Sequence, residues 1–264
     1  MTAEAAVRAH RLVGEHAPDA LVAILAGSTA GGRATGSSDL DIAVLVPEGG
    51  ATRRETLLDQ GRPVELFVHT RTGLAELFAA DAASRRGVMQ HMYAEGIAVV
   101  DTDGEAPRLR AWARTALAEG PTPLGAEAVE TRRYSLTDAL DDLKDTKDRF
   151  EQLAVASLVL QGAADLLLNH HRAWAGDGKW FPRRLLAADP ARGAALLTGH
   201  RHLCETTDPT LLSAAAEGAL HLVGGPLTSG YRRLWPGAAR HRIGGPVSHG
   251  AGSVDAETDS LPSE

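Results

Sequence analysis

Two carboxylates, Asp39 and Asp41, stand one residue apart at the head of an apolar run, Leu40 to Val46, which follows a loop rich in glycine and serine. In an extended strand successive side chains alternate between faces, so both aspartates project from one surface while Leu40, Ile42 and Val44 project from the other. Charges held that close repel, and without a counterion one of them takes up a proton. A divalent cation removes the conflict. Mg²⁺ is a hard ion that prefers oxygen donors and commonly binds through one or two carboxylates together with substrate phosphates. A third acid, Glu65, interrupts the apolar segment Pro63 to His69 and shares a face with Phe67 and His69, opposite Val64, Leu66 and Val68. If the two strands are neighbours, three carboxylates converge, which is the donor set of a two-metal phosphoryl or nucleotidyl transfer site. Gly27 and Ser28, where the first strand ends, are small enough for backbone N–H groups and a hydroxyl to approach a phosphate.

The elements that must position these residues follow from periodicity. Apolar residues at helical spacing predict a first helix over Ala5 to Gly14, and Pro18 punctuates its exit. Leu21 to Ala26 and Leu40 to Val46 read as buried strands. The stretch Thr52 to Thr70 reads as a hairpin turning at Asp59 to Gly61. A helix over Thr72 to Glu95, a strand over Ile97 to Asp101 and a helix over Pro107 to Glu119 complete an α+β half. After the breaker Glu119 to Gly125 the pattern becomes helical, over Ala126 to Thr146, Lys147 to Ala175, Pro190 to Glu205 and Pro209 to Val223. The expected architecture is a mixed sheet flanked by helices over 1–120, an all-α bundle over 121–242 and a disordered acidic tail over 243–264.

The helical half carries further candidates. Asp138, Asp141, Asp142, Asp145 and Asp148 form a stripe opposite Leu136, Leu140, Leu143 and Phe150. The stripe is either an attractor for a polycationic ligand or a solvated face moderated by Lys144 and Lys147. In Gly176 to Leu185, read as a loop, Lys179 stands beside Trp180 with Arg183 and Arg184 just beyond. Such cations can reach β- and γ-phosphates across a cleft, although no P-loop pattern surrounds them. The bland alternative is that Trp180 and Phe181 pin the loop while the charges face water.

Composition narrows the partners. A formal charge of −7 without a Lys/Arg block argues against a nucleic-acid surface. Cys204 is the sole cysteine, which excludes an internal disulfide and fits a reducing cytoplasm. The N-terminus lacks a signal-peptide core, and no run approaches the roughly 18 apolar residues of a membrane helix.

Gly27-Ser28, ten intervening residues, Asp39-Leu40-Asp41-Ile42 and then Glu65 on a following strand resemble the nucleotidyltransferase superfamily that includes DNA polymerase β. The layout of an α+β half followed by a helical half further resembles the bacterial aminoglycoside and lincosamide nucleotidyltransferases, which transfer a nucleoside monophosphate from an NTP to an antibiotic hydroxyl. The resemblance implies that Asp39 and Asp41 bind Mg²⁺, with two ions expected, and that Glu65 is the third ligand or the general base. It implies nucleotide contacts from Gly27, Ser28 and Ser38, to which the cation reading adds Lys179 and Arg183. Some relatives draw the base from the helical domain, which brings in Glu127, Glu130 and Asp142. The expected partners are an NTP and a small hydroxylated acceptor, in a monomer or a homodimer. A protein-adenylylating enzyme of toxin–antitoxin type and a non-catalytic nucleotide sensor are the alternatives.

Overall fold

The computed structural model describes residues 2–33, 35 and 38–234, so the expected acidic tail lies outside the described residues. In chain order the elements are α1 (Thr2–His16), β1 (Val22–Leu25), α2 (Gly27–Ala30), β2 (Leu40–Leu45), β3 (Arg53–Asp59), β4 (Arg62–His69), α3 (Arg71–Ser84), α4 (Val88–Glu95), β5 (Ile97–Asp101) and α5 (Glu105–Glu119). The helical half continues with α6 (Ala126–Asp145), α7 (Arg149–His170), α8 (Trp180–Ala188), α9 (Pro190–Thr206) and α10 (Thr210–His221). The fold is α+β.

The five strands form one mixed sheet in the order β3-β4-β2-β1-β5. β2 and β4 run parallel and every other pair is antiparallel. The turn between β3 and β4 is tight, with Gln60 and Gly61 both at positive φ as a type I′ turn requires. Alternation sorts the apolar side chains of β1 and β2 onto two faces. Ala23, Leu25, Ile42 and Val44 pack with Leu12 and Val13 of α1, while Val22, Ile24, Ala43 and Leu45 pack with Leu74, Phe78, Tyr93 and Leu109 of α3, α4 and α5. Asp41 shares the second face, the one that α4 covers.

The helical half has its own core, in which α7 is central through Ala156, Val159, Ala163, Leu166 and Leu167. Contrary to the expectation from sequence, α7 is long and apolar enough by length and composition to cross a membrane. Its buried positions are instead filled by leucines of α6, α8, α9 and α10. Residues 1–231 form one compact unit. Within it the cores stay separate and the two halves are tied at a few contacts: Ala175 N–H donates to Arg85 O at 2.7 Å, Trp174 Nε1–H to Leu117 O at 3.0 Å, and Arg85 Nη1 to Asn169 Oδ1 at 3.1 Å.

Those ties explain one departure from the sequence reading. The helix expected over Thr72 to Glu95 is two helices, broken where Arg85 and Gly87 take left-handed φ of 64° and 62°. A Cβ on Gly87 would lie 2.7 Å from the Trp174 ring, so the break admits the indole of the helical half. Asp81 Oδ2 then accepts from Met89 N at 2.7 Å and caps the restarted helix.

Beneath the sheet, His69 is fully buried and its Nε2 shares a 2.6 Å hydrogen bond with the Tyr93 hydroxyl. Burial depresses the imidazole pKa from 6.5 to about 4. The unfolded chain therefore binds a proton that the folded chain refuses, and stability falls as pH drops from 6.5 towards 4. Between pH 7 and pH 5 this group alone is expected to remove about 2 kcal/mol of unfolding free energy. Urea unfolding at the two pH values checks it: the pH 5 loss should shrink by about that amount in His69→Phe, and an equal loss in both proteins would contradict the burial argument.

Candidate active site

The parallel register of β2 and β4 places Asp41 directly opposite Glu65, and strand alternation turns both toward the face covered by α4. Asp39 lies just before β2, its backbone oxygen accepting from Thr29 Oγ1 at 3.4 Å. Burial, first, and then the charges of Asp39 and Glu65 push the Asp41 carboxyl up to about 6. Lys179 and Arg54 pull it the other way. Asp39 and Glu65 are therefore near enough to act on Asp41 by charge.

Gly27 is required by the same carboxylate. It sits at φ +68°, and a Cβ built there would fall inside the van der Waals radius of Asp41 Oδ2. Ala26 N–H also donates to Asp41 O at 2.8 Å, fastening the end of β1 to β2. The sequence reading took Gly27 and Ser28 as loop, whereas they open the single-turn α2. Ser28 is only 4% exposed, and its Oγ is buried without a hydrogen-bond partner among the described residues. Such a hydroxyl costs stability unless a ligand oxygen meets it. Ser38 is differently employed, its Oγ accepting from Thr35 N at 2.9 Å.

A cavity of about 270 Å³ opens in front of Asp41, walled by Gly27, Arg33, Phe67, His91, Trp180 and Arg184 among others. Its far wall departs from expectation. The stretch read as a loop becomes α8 from Trp180 onward, with Lys179 at its N-cap and Pro182 in the first turn, where proline's missing N–H is harmless. One helical turn later Arg183 and Arg184 both reach back over the Trp180 ring, at 5.1 and 5.0 Å, and Arg33 approaches it at 5.5 Å from the glycine-rich segment. Each stacked guanidinium gains roughly 0.5 to 2 kcal/mol. Even so, cations gathered on one indole repel one another, and none of Arg33, Lys179, Arg183 or Arg184 has an ion-pair partner within 4.0 Å among the described residues. Burial lowers the Arg184 pKa, with Glu95 opposing and Arg33 adding to that shift. A polyanion would relieve the repulsion.

The residues split accordingly. Of the residues expected from sequence, Gly27 and Asp41 line the cavity, Asp39, Glu65 and Lys179 act on Asp41 by charge without lining it, and Ser28 and Ser38 are not part of its wall. Arg184 walls the cavity, and Arg183, which is exposed, does not. Glu65 is held by Arg54, whose Nη2 lies 2.5 Å from its Oε2. No group of three His, Cys, Asp or Glu side chains among the described residues is close enough to hold an ion unaided. Hard carboxylate oxygens at a buried, repulsive edge beside an orphaned hydroxyl nevertheless suit Mg²⁺ whose remaining ligands are phosphate and water. Glu127, Glu130 and the Asp138 to Asp148 stripe are exposed and do not wall this cavity, and Asp148 caps α7 instead. Sequence reasoning missed Arg33, Arg54, His91 and the stacking role of Trp180. Arg33 alone carried a signal, as the single basic residue between Gly27 and Asp39.

No family model matches the chain, and no curated protein matches it. Among solved structures it is similar to a nucleotidyltransferase-like protein from Exiguobacterium sibiricum 255-15, at 14% identity and a TM-score of 0.41, over 82% of this chain and 73% of that one. The functional reading rests on the site itself.

Two glycine substitutions separate backbone strain from the carboxylate contact. Gly27 and Gly32 share φ +68°, but among the described residues nothing lies within 4 Å of a Cβ at Gly32. Gly32→Ala should cost about 1 kcal/mol from φ alone. Gly27→Ala should cost at least twice that. Equal unfolding midpoints for the two variants would show that Asp41 does not press on Gly27.

Proposed function

We propose that this protein is a Mg²⁺-dependent nucleotidyltransferase that moves a nucleoside monophosphate from an NTP to a hydroxyl of a small molecule, releasing pyrophosphate. The observation that carries the reading is the opposition across one cavity of Asp41, destabilised by Asp39 and Glu65, and an arginine-stacked Trp180 whose cations lack partners.

In such a transfer the acceptor oxygen bonds to the α-phosphorus, the bond from that phosphorus to the bridging α,β-oxygen breaks, and pyrophosphate leaves. Asp39 and Asp41 would hold the Mg²⁺, with Glu65 as third donor or as the base that takes the hydroxyl proton. When bound, Mg²⁺ neutralises phosphate charge and makes the hydroxyl a better nucleophile. Ser28 offers its unpartnered Oγ to a phosphate oxygen. Lys179, Arg33 and Arg184 receive the β- and γ-phosphates and stabilise the departing charge, with Arg183 supporting them from the outer side of the indole. Glu65 reaches either role by releasing Arg54, whose salt bridge is half exposed and therefore weak. The segment from residue 121 on, which brings α8 to the sheet, acts as the closing half of the site. A cytoplasmic setting with NTP at hand suits the reaction, and an antibiotic-type acceptor fits the same chemistry.

Pyrophosphate release is the test, with ATP, GTP, CTP and UTP offered against aminoglycosides, lincosamides and polyols. Release should require Mg²⁺, vanish with EDTA and fall on the order of a hundredfold or more in Asp39→Ala and Asp41→Ala. Undiminished release by either variant would remove the metal assignment. Arg184→Ala is expected to raise KM for the NTP about tenfold or more, because a charge-assisted phosphate contact contributes on the order of 1.5 kcal/mol or more.

A further inference from the structure

A second cavity, of about 830 Å³, lies along α6 and α7 and reaches the start of α8. We infer that it receives the acceptor, and that the acceptor is an uncharged, hydroxyl-bearing molecule with an apolar body. The inference rests on the nucleotidyl-transfer reading above and deepens it.

Continuity is the first argument. Ala175, Gly176 and Asp177 line both cavities, so a molecule lying in the second ends at the wall of the one that holds Asp41. Gly176 packs so closely on α8 that an added Cβ would come within 2.7 Å of the Trp180 backbone. A side chain there would push α8 away and close the junction.

Size is the second argument. Small-molecule sites span about 300 to 1,000 Å³, so this cavity takes one such molecule and has no room for a protein surface. A hydroxyl on a modified protein would have to enter on an extended loop, and nothing in the wall presents an open strand edge to receive one.

Chemistry is the third. Leu136, Ala139, Leu158 and Phe181 give the wall its apolar patches, and Ser135, Ser157 and Gln161 add neutral hydrogen-bonding groups. Leu158 is 63% exposed, an apolar surface that an occupant would cover. Of the two carboxylates of the wall, Asp165 is firmly held and Asp177 carries an exposed, weaker bridge. Asp165 is bridged by Arg132 and by the buried Arg85 at 3.8 Å, and Asp177 is paired with Arg86 at 2.5 Å. An incoming ammonium group would meet Asp165 already between two arginines, one of which, Arg132, stands in the same wall. The aspartate stripe of α6 and the α7 cap adds no further acid, because Asp138, Asp141, Asp142, Asp145 and Asp148 are all absent from this wall. A polycationic acceptor is thus poorly matched, whereas a neutral polyol or glycoside with an apolar arm is well matched.

Octyl β-D-glucopyranoside below its micellar concentration is a suitable probe, followed by saturation-transfer NMR on the full chain, with neomycin as the polycationic competitor. Ser157→Trp fills the groove and Leu158→Arg charges its apolar wall. Both positions are exposed on α7, so an unchanged unfolding midpoint certifies the fold. The glucoside should bind saturably to the wild type and at least tenfold more weakly to both variants, and neomycin should not displace it. Absent saturable binding, equal binding by the variants or displacement by neomycin would overturn the inference. ATP binding with Mg²⁺, measured in parallel on the wild type, keeps two failures apart. Glucoside binding without ATP binding removes the transferase reading and the acceptor role with it, whereas ATP binding without glucoside binding removes the groove alone.

Discussion

The Asp41 carboxylate occupies a position where a charge is costly. It is largely withdrawn from water, it faces Glu65 across a parallel strand pair and Asp39 along its own strand, and its pKa rises to about 6 in response. Nothing in ordinary folding calls for such a group, since an asparagine or a threonine at that point of β2 would avoid the repulsion. The surrounding structure nevertheless conforms to it. Gly27 sits at φ +68° with Asp41 Oδ2 in the space a Cβ would take, and β1 ends where Ala26 donates to the Asp41 carbonyl. A carboxylate kept in a destabilising position by several independent elements is a candidate functional group.

The opposite wall has the complementary problem. Arg33, Arg183 and Arg184 converge on Trp180, and Arg33 and Arg184, which have no ion-pair partner among the described residues, line the same cavity of about 270 Å³ as Asp41. The chain that carries the second wall is fastened to the first half beside the cavity. Trp174 wedges against Gly87, Ala175 bonds to Arg85, and the chain then turns at Gly176 to start α8. The space so preserved suits a ligand that is negative toward the arginines and carries a divalent cation toward the acids. A metal–nucleoside triphosphate has both properties.

How much of this was legible in the sequence depended on the range of the forces involved. The strands were readable because period-two alternation and β-branched composition are local, and Glu65 stood out because a lone charge on an apolar strand breaks that pattern. The pairing of Asp41 with Glu65 was legible only as a condition, since register is a tertiary fact. The helix α8 was hidden by Gly176, Gly178 and Pro182, which read as breakers, although Pro182 falls in the first turn where a helix tolerates it. That error concealed the stacking of Arg183 and Arg184 on Trp180, because three- and four-residue spacing has meaning only once a helix exists. The break between α3 and α4 had no local cause strong enough to announce it, being set by an indole from far along the chain. The Arg54 salt bridge to Glu65 crosses a diagonal of the β3–β4 hairpin and depended on its register.

The central claim is that the acids and the arginines form one site for a metal-bound triphosphate, so that metal and nucleotide bind interdependently. Electron paramagnetic resonance of Mn²⁺ titrated into the full chain, with and without a non-hydrolysable ATP analogue, measures that coupling directly. The account predicts weak Mn²⁺ binding to the free protein and binding tightened at least tenfold by the analogue, with the reciprocal tightening of the analogue by Mn²⁺. Analogue affinity that is the same with Mn²⁺ and with EDTA would contradict it.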